Sequence, residues 1–329
     1  MSSKITRRTV VKSGIATAAA LPLAGTAWAQ AWPAKPIRVI VGYPAGGLTD
    51  LFARAYGEYV GQKLGQPLVV ENRPGAGGTV AAQAVKAAPA DGYTLMFTIT
   101  TTMVMNRVLY KSLPYDADKD FVLISSMFAG HLPFVAAKAT GATNLAEFAE
   151  YARKNRVSAG TYAAGSYAHM AIAEINKHFG LQMEAVHYRG EAPMWQDMAA
   201  GVIQAATASY AGASNVLQSG AGRAIAVPQM TRMRKLPDVA TFHEQGVNSR
   251  LFTLKGYICA VGPAGMPQEI VQRLSDLMVE GGKSERVQKL LDTFGIDESA
   301  VGQLEFRRLY DQENPIWISL VRSLGLTPE

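Results

Sequence analysis

The stretch YPAGGLTD, residues 43–50, has residue types suited to holding an anion. Gly46 and Gly47 carry no side chain, so their amide groups can come close to a ligand. A helical pattern begins directly after them. A helix N-terminus adds partial positive charge and unpaired N–H groups, and Thr49 adds a hydroxyl. We therefore predict a site for an anion such as a carboxylate, although a tight strand-to-helix turn would need the same small residues.

A second glycine-rich loop, ENRPGAGGTVAAQA at residues 71–84, falls short of a nucleotide-binding motif. Gly75 and Gly77 match the first two glycines of the dinucleotide fingerprint, but Val80 stands where the third glycine belongs. The sequence also lacks a phosphate-binding loop of the G-x-x-x-x-G-K-[ST] type. We predict no NAD, no ATP and no other cofactor.

Small and polar residues also follow the other predicted strands. They are Thr98, Thr100 and Thr101 in TITTTMVMN, Gly165, Ser166 and His169 in TYAAGSYAHM, Tyr188 in HYRGEAP, and Ser209 in TASYAGAS. Ligands of an open parallel sheet lie beyond the carboxyl ends of its strands. These residues and the first loop are therefore predicted to line one polar, charge-poor cleft, although threonines are also common as plain strand formers.

Catalytic patterns are weak by comparison. None of the five histidines lies in an H-E-x-x-H motif, and no Cys/His spacing typical of a metal site occurs. Ser166 lies in AGSYA rather than in a G-x-S-x-G nucleophile elbow. A pair of Ser166 and His169 at one helix start keeps an exported hydrolase as the alternative. We predict no enzyme and no bound metal.

The elements that must position these residues alternate between short apolar runs and helical patterns. Strands are predicted at IRVIVGYP, QPLVVEN, YTLMFTIT and FVLISSMF, then at LPFVAAKA, SAGTYAA, MEAVHYR, IQAATAS, AIAVPQ and LKGYICAVGP. The runs lack alternation, as in mainly parallel sheets covered by helices on both faces. Two such α/β series predict two lobes with a cleft between them. Lobe 1 is placed at residues 30–132 and 257–329, and lobe 2 at residues 133–256.

The N-terminus resembles an export signal. TRRTVVK precedes a modestly apolar stretch and the small residues AWA, which predicts a twin-arginine-type signal over residues 1–29, cleaved near Ala29. A membrane anchor is the alternative for this segment. Its removal leaves 28 basic and 26 acidic residues, so charge does not indicate nucleic acid. TRMRK, residues 231–235, is typical of a solvated face, and the single cysteine, Cys259, is predicted to be a buried strand thiol.

The chain resembles the Bug (TctC-like) receptors of the tripartite tricarboxylate transporters. The resemblance is carried, in order, by YPAGGLTD, ENRPGAGGTVAAQAV, APADGYTLMF, HYRGEAPMWQDMAAGVI, LPDVATFHEQG and GPAGMPQEIVQRL. It implies a periplasmic binding protein of type II topology that holds a small carboxylate between its lobes. In the family the first loop grips a carboxylate through amides and ordered waters, a role that falls here on Tyr43, Ala45, Gly46, Gly47, Leu48, Thr49 and Asp50. Residues 72–78 are expected to shape the site, with Arg73 as an ion-pair partner.

The function implied by this resemblance is capture of a small organic acid in the periplasm and its delivery to the membrane subunits of a tripartite permease. We expect a monomer. A solute sensor for a membrane kinase is a second alternative, because the binding chemistry of a sensor is the same. The sequence does not identify the solute.

Overall fold

Four strands and three helices open the fold in the computed structural model, which describes residues 32–328. They are β1 (Ile37–Val41), α1 (Leu48–Leu64), β2 (Leu68–Asn72), α2 (Thr79–Lys86), β3 (Thr94–Ile99), α3 (Asn106–Leu109) and β4 (Phe121–Phe128). A π-helical turn, Thr101–Met105, runs directly into α3. The expected signal at residues 1–29 lies outside the described residues.

A second α/β series follows. It consists of β5 (Phe134–Ala137), α4 (Leu145–Lys154), β6 (Ser158–Thr161), α5 (Tyr167–Phe179), β7 (Glu184–His187), α6 (Glu191–Ala199), β8 (Ala205–Thr207), α7 (Tyr210–Gln218) and β9 (Gly222–Ala226). Asn144 caps α4 as its sequence predicts, since the side-chain oxygen accepts from the amide of Glu147 at 2.9 Å.

The chain then returns to the first series. β10 (Tyr257–Pro263) is followed by α8 (Gln268–Gly281), α9 (Glu285–Phe294) and α10 (Gln303–Ser323). α10 continues through Pro315, although a proline inside a helix is expected to kink it or to begin a new turn. Among the described residues, no helix is both long enough and apolar enough to cross a membrane.

Each series forms its own five-stranded sheet, in the orders β2-β1-β3-β10-β4 and β7-β6-β8-β5-β9. Four strands of each sheet run in one direction, because the only antiparallel strand pairings within residues 32–328 are those of β10 in the first and of β5 in the second. These two are the strands at which the chain enters a sheet from the other one. The mainly parallel, two-lobed α/β fold is therefore confirmed, with one reversed strand per lobe that the sequence did not indicate.

Buried apolar side chains fill the space between each sheet and its helices. The β1 side chains of Ile37, Val39 and Ile40 are fully buried, as are Phe52 and Tyr56 of α1. The two connections between the lobes touch, because the amide of Ala129 donates to the carbonyl oxygen of Gly256 at 2.8 Å. The chain thus passes between the two sheets twice, and the two connecting segments are hydrogen-bonded to each other. The bounds given above for the lobes remain a proposal.

Two helices were missed from the sequence. No helix was predicted for the threonine-rich segment after β3, which winds into the Thr101–Met105 turn and α3. None was predicted after Ser209 either, where the chain forms α7. Both segments lie on buried faces, and packing there outweighs the weak helix preference of threonine, serine and glycine.

Candidate ligand-binding site

Asp50 organises the first loop from inside. Its carboxylate accepts from the amide of Gly46 at 2.9 Å, from Nε of Arg54 at 3.0 Å and from Nδ2 of Asn72 at 2.9 Å. Burial alone would raise the pKa of Asp50, but these hydrogen bonds and the Arg54 charge outweigh it and hold the pKa below its usual range. The side chain of Asp50 is thus committed to holding the loop shape rather than free to contact a solute.

This arrangement corrects the predicted use of two loop amides. The Gly46 amide donates to Asp50, and the Gly47 amide donates to the carbonyl oxygen of Pro44 at 3.3 Å. Asp50 is the third residue of α1 and reaches back to the chain before it, much as the acid of a capping box does. The amides of Leu48 and Thr49 have no acceptor in the part of the chain that the structure describes. With the Asp50 amide, which also lacks an acceptor among the described residues, they are the donors at this helix start that remain for an anion.

The first-lobe loops are locked together through the carbonyl oxygen of Gly77. It accepts from the hydroxyl of Tyr43 at 3.3 Å, from Thr102 at 2.8 Å and from Nδ2 of Asn106 at 3.0 Å. A Cβ on the neighbouring Gly78 would lie 2.2 Å from Oγ1 of Thr102, so the backbone can approach this closely only at glycine. Tyr43 therefore fixes the loops through its hydroxyl.

The second glycine-rich loop, with the ion pair expected beside it, also supports the first loop. Arg73 pairs with Glu71, with 2.7 Å between Nε and Oε1, as was expected. The amide of Arg73 also donates to the carbonyl oxygen of Val41 at 2.8 Å and ties the loop to β1. The loop thus holds the shape of the first loop.

The hydroxyl groups of the predicted threonines interact with other residues of the same lobe. Thr98 is fully buried and donates to Thr102 at 2.6 Å. Thr100 accepts from the amide of Tyr257 at 2.8 Å and so ties the end of β3 to the start of β10. Thr101 is half-buried, and its hydroxyl lies 3.7 Å from the sulfur of Met105. Only Thr101 of the three retains exposed surface with which to contact a solute.

The second-lobe loop before α5 does not form a catalytic pair. Ser166 donates its hydroxyl proton to the carbonyl oxygen of Ala163 at 2.6 Å and caps α5 by accepting from the amide of His169. Nδ1 of His169 lies 3.2 Å from the amide of Gly165, which donates to it. Burial, followed by the neighbouring His187, lowers the pKa of His169 to about 4. The serine thus has no general base, which argues against the hydrolase alternative.

Changing Ser166 to alanine tests this assignment. We expect the Ser166→Ala variant to lose about 1 kcal/mol of unfolding free energy, the usual effect of removing an N-cap, measured by urea denaturation. Both parent and variant should leave a panel of aryl and alkyl esters unhydrolysed. Turnover by the parent that disappears in the variant would contradict the capping role.

The remaining predicted residues make contacts within the second lobe. Tyr188 donates its hydroxyl to Asp197 at 2.6 Å; burial and then this carboxylate raise the pKa of Tyr188 to about 12. Ser209 caps α7 and donates its hydroxyl to Glu191 at 2.5 Å. Glu191 was not singled out from the sequence. The signal that could have found it was a glutamate shortly after a predicted strand, in the segment HYRGEAP.

The two lobes touch along the cleft edge. A Cβ on Gly165, at the start of α5, would lie 2.4 Å from Cδ2 of Leu109, at the end of α3, so the loops predicted to face each other do so. The rings of Tyr167 and Trp317 pack edge to face with centroids 6.3 Å apart. Leu109 is a further wall residue that sequence reasoning missed.

The basic run at residues 231–235 also reaches across. Arg234 lies 3.0 Å from Asp297, and Lys235 lies 2.7 Å from Asp292. These ion pairs link the second lobe to the end of α9, so the run is more than a solvated face.

Within residues 32–328, no three of the His, Cys, Asp and Glu side chains are grouped closely enough to hold a metal ion. Cys259 is a buried free thiol, as predicted, and burial raises its pKa.

Comparison with known proteins places this geometry in a family. The model of the tripartite tricarboxylate transporter family receptor (TctC) matches residues 52–326. A UPF0065 protein of Bordetella bronchiseptica is 31% identical over 270 residues, which cover 82% of this chain and 78% of that protein. Protein BugT of Bordetella pertussis is 29% identical over 303 residues, 90% of this chain and 91% of BugT.

Solved structures agree with the sequence match. R. palustris Rpa4515 with adipate superposes with a TM-score of 0.78 at 26% identity, covering 91% of this chain and all of that one (100%). MatC from Rhodopseudomonas palustris with bound malate gives a TM-score of 0.71 at 26% identity, covering 88% and 99%. From the extent of the family match and the shared two-lobed fold, the chain belongs to the TctC (Bug) family of tripartite tricarboxylate transporter receptors.

Proposed function

We propose that this protein is an extracytoplasmic receptor that binds a small carboxylate between its lobes and delivers it to a tripartite permease. One observation carries the proposal: the first two amides of α1, those of Leu48 and Thr49, have no acceptor among the described residues and stand at the carboxyl end of β1. A carboxylate is the ligand that such a helix start favours without a basic side chain.

The surroundings of these amides support the same ligand. The hydroxyl of Thr49 has no partner in residues 32–328, and the side chain is only 5% exposed. The nearest acid, Asp50, is neutralised by Arg54, so it does not repel an approaching anion strongly. The relatives whose structures carry adipate and malate bind dicarboxylates, which makes organic acids the first solutes to test.

Closure on the solute follows from the two-lobed geometry. A ligand that contacts both the first loop and the loop before α5 stabilises the closed arrangement through its preference for that state. The export signal proposed over residues 1–29 and the family membership support a periplasmic location. A sensor for a membrane kinase would bind its solute in the same way, and the genes next to this one would distinguish it from a transport receptor.

Thermal unfolding in the presence of candidate solutes tests the binding proposal. A solute present at a hundred times its dissociation constant should add about 2.7 kcal/mol to the unfolding free energy. The panel should contain mono- and dicarboxylates, aromatic acids and amino acids, each compared with its amide or alcohol analogue. If no acid raised the melting temperature, the proposal would be abandoned.

A further inference from the structure

Glu191 is the first residue of α6, beyond the carboxyl end of β7. Its two oxygens accept from the hydroxyl of Ser209 at 2.5 Å and from the amide of Ser209 at 3.2 Å. Ser209 follows the carboxyl end of β8, where ligands of such sheets lie. The next residue, Tyr210, packs against Gly295 of the first lobe, where an added Cβ would lie 3.2 Å from its Cδ1. Through Ser209, Glu191 is therefore next to a residue that contacts the first lobe.

The carboxylate of Glu191 occupies the start of α7. An open helix start at this place would offer the Ser209 amide and hydroxyl to the far end of a long anion, but both already donate to Glu191. A Cβ on Gly212 would lie 2.2 Å from Oε2 of Glu191, so the acid is packed directly onto the helix. Among the described residues, no lysine or arginine is within ion-pair distance of it.

The other titratable groups at the strand ends of the second lobe add little positive charge. The rings of His169 and His187 lie 4.5 Å apart, and burial lowers the pKa of both. Tyr162 stays protonated, since burial and then the charge of Glu191 raise its pKa. The nearest cation in sequence is Arg189, which is exposed. A solute held by its carboxylate at α1 would thus present its other end to hydrogen-bond acceptors and a negative charge.

We infer that Glu191 makes this receptor specific for monocarboxylates whose far end carries a hydrogen-bond donor, such as an ammonium, amide or hydroxyl group, and makes it reject dicarboxylates. The inference depends on the proposed function, because it takes the solute to be anchored at the first loop. A far-end carboxylate would face an unpaired like charge. A far-end donor would use the acceptor capacity that the Glu191 oxygens retain beyond their bonds to Ser209.

Calorimetric titration with length-matched solutes tests the inference. The five-carbon set is 5-aminopentanoate, glutaramate, 5-hydroxypentanoate and glutarate, and analogous sets with four and six carbons cover other cleft lengths. The wild type should bind the best donor-ended acid at least about tenfold more tightly than the dicarboxylate of equal length. Glu191→Gln should reduce that ratio about tenfold or reverse it, and Glu191→Asp, which keeps the charge, should preserve the order.

Glu184→Gln is the matched control, because Glu184 lies on β7 in an exposed ion pair with Arg156 and loses the same charge away from the cleft. The affinity ratio should not change in this variant. If the wild type instead bound dicarboxylates as tightly as donor-ended acids or more tightly, and Arg189→Ala lost that binding, Arg189 would be shown to select the solute. This result would overturn the inference about Glu191 and leave the proposed function standing. Absence of binding by every acid would overturn the proposed function, and the inference with it.

Discussion

Replacing Gly46 with valine is expected to weaken solute binding at least about a hundredfold, equivalent to about 2.7 kcal/mol. Gly46 has a φ of +79°, and no atom lies within 4 Å of the position that a Cβ would occupy. Gly46 stands two residues before the first amide of α1, so we expect a branched side chain there to obstruct a carboxylate that approaches the helix start. The measurement is the dissociation constant for the best acid found by thermal screening.

A control variant at a second glycine distinguishes the effect of backbone strain from that of steric blocking. Gly201 has a φ of +78°, and an added Cβ there also meets nothing within 4 Å. It lies before β8, at the amino end of the strand, away from the cleft. Both valine variants should lose roughly 1–3 kcal/mol of stability from the left-handed backbone. Only Gly46→Val should lose affinity; an equal loss in Gly201→Val would place the anion site elsewhere.

The elements of this fold are strongly encoded in local pattern. β4 begins and ends at the predicted residues, and Asn144 caps α4 as its spacing to Glu147 indicates. Apolar runs and capping signals involve residues close in sequence, so they can be recognised without knowing the tertiary contacts. The proposed location of the site at the strand ends rests on the same kind of reasoning.

The use of each polar group in the site is not encoded locally. Which amides of the first loop stay open depends on Asp50, whose carboxylate is fixed by Asn72, 22 residues away. The hydroxyl of Thr100 is hydrogen-bonded to the amide of Tyr257, 157 residues away. Hydrogen bonding over such distances assigns Thr100 and Asp50 to the scaffold, whereas Thr98 is held there by burial and by its bond to Thr102, four residues away. That these polar residues lie close to the solute stays a prediction. Glu191 was missed for the same reason, because its partner Ser209 lies on another strand end.

Removing the Asp50 carboxylate is expected to damage both the fold and the site. Asp50→Ala leaves the Gly46 amide and Nε of Arg54 without an acceptor, and leaves Nδ2 of Asn72 with the carbonyl oxygen of Tyr43 alone. An unpaired donor costs about 1–3 kcal/mol when it is fully buried, and less here because Gly46 is exposed, Asn72 is half-buried and 41% of the Arg54 side chain is exposed. We expect a loss of about 1–2 kcal/mol in urea denaturation. Glu150→Ala, which breaks an exposed helical pair with Arg153, should cost under about 1 kcal/mol.

The effect of Asp50→Ala on binding should not depend on the charge of the solute. An acid free to face the ligand would favour an ammonium-bearing solute, and its removal would weaken that solute selectively. Because the carboxylate is already shared by three donors, its loss should instead weaken amino and plain acids alike through the altered loop. A selective loss for the ammonium-bearing acid would show that Asp50 contacts the solute.

The pH dependence of stability provides an independent check on Asp50. Its pKa is lowered in the folded protein, so its contribution is fully present above the unfolded pKa of about 3.9 and is lost as the pH falls through the folded value. The stability difference between the wild type and Asp50→Asn should therefore be constant from about pH 5 to pH 7 and shrink below about pH 4. A difference that persisted unchanged at about pH 3 would mean that the charge of Asp50 is not what holds the first loop, and that its role is one of shape, which asparagine cannot reproduce.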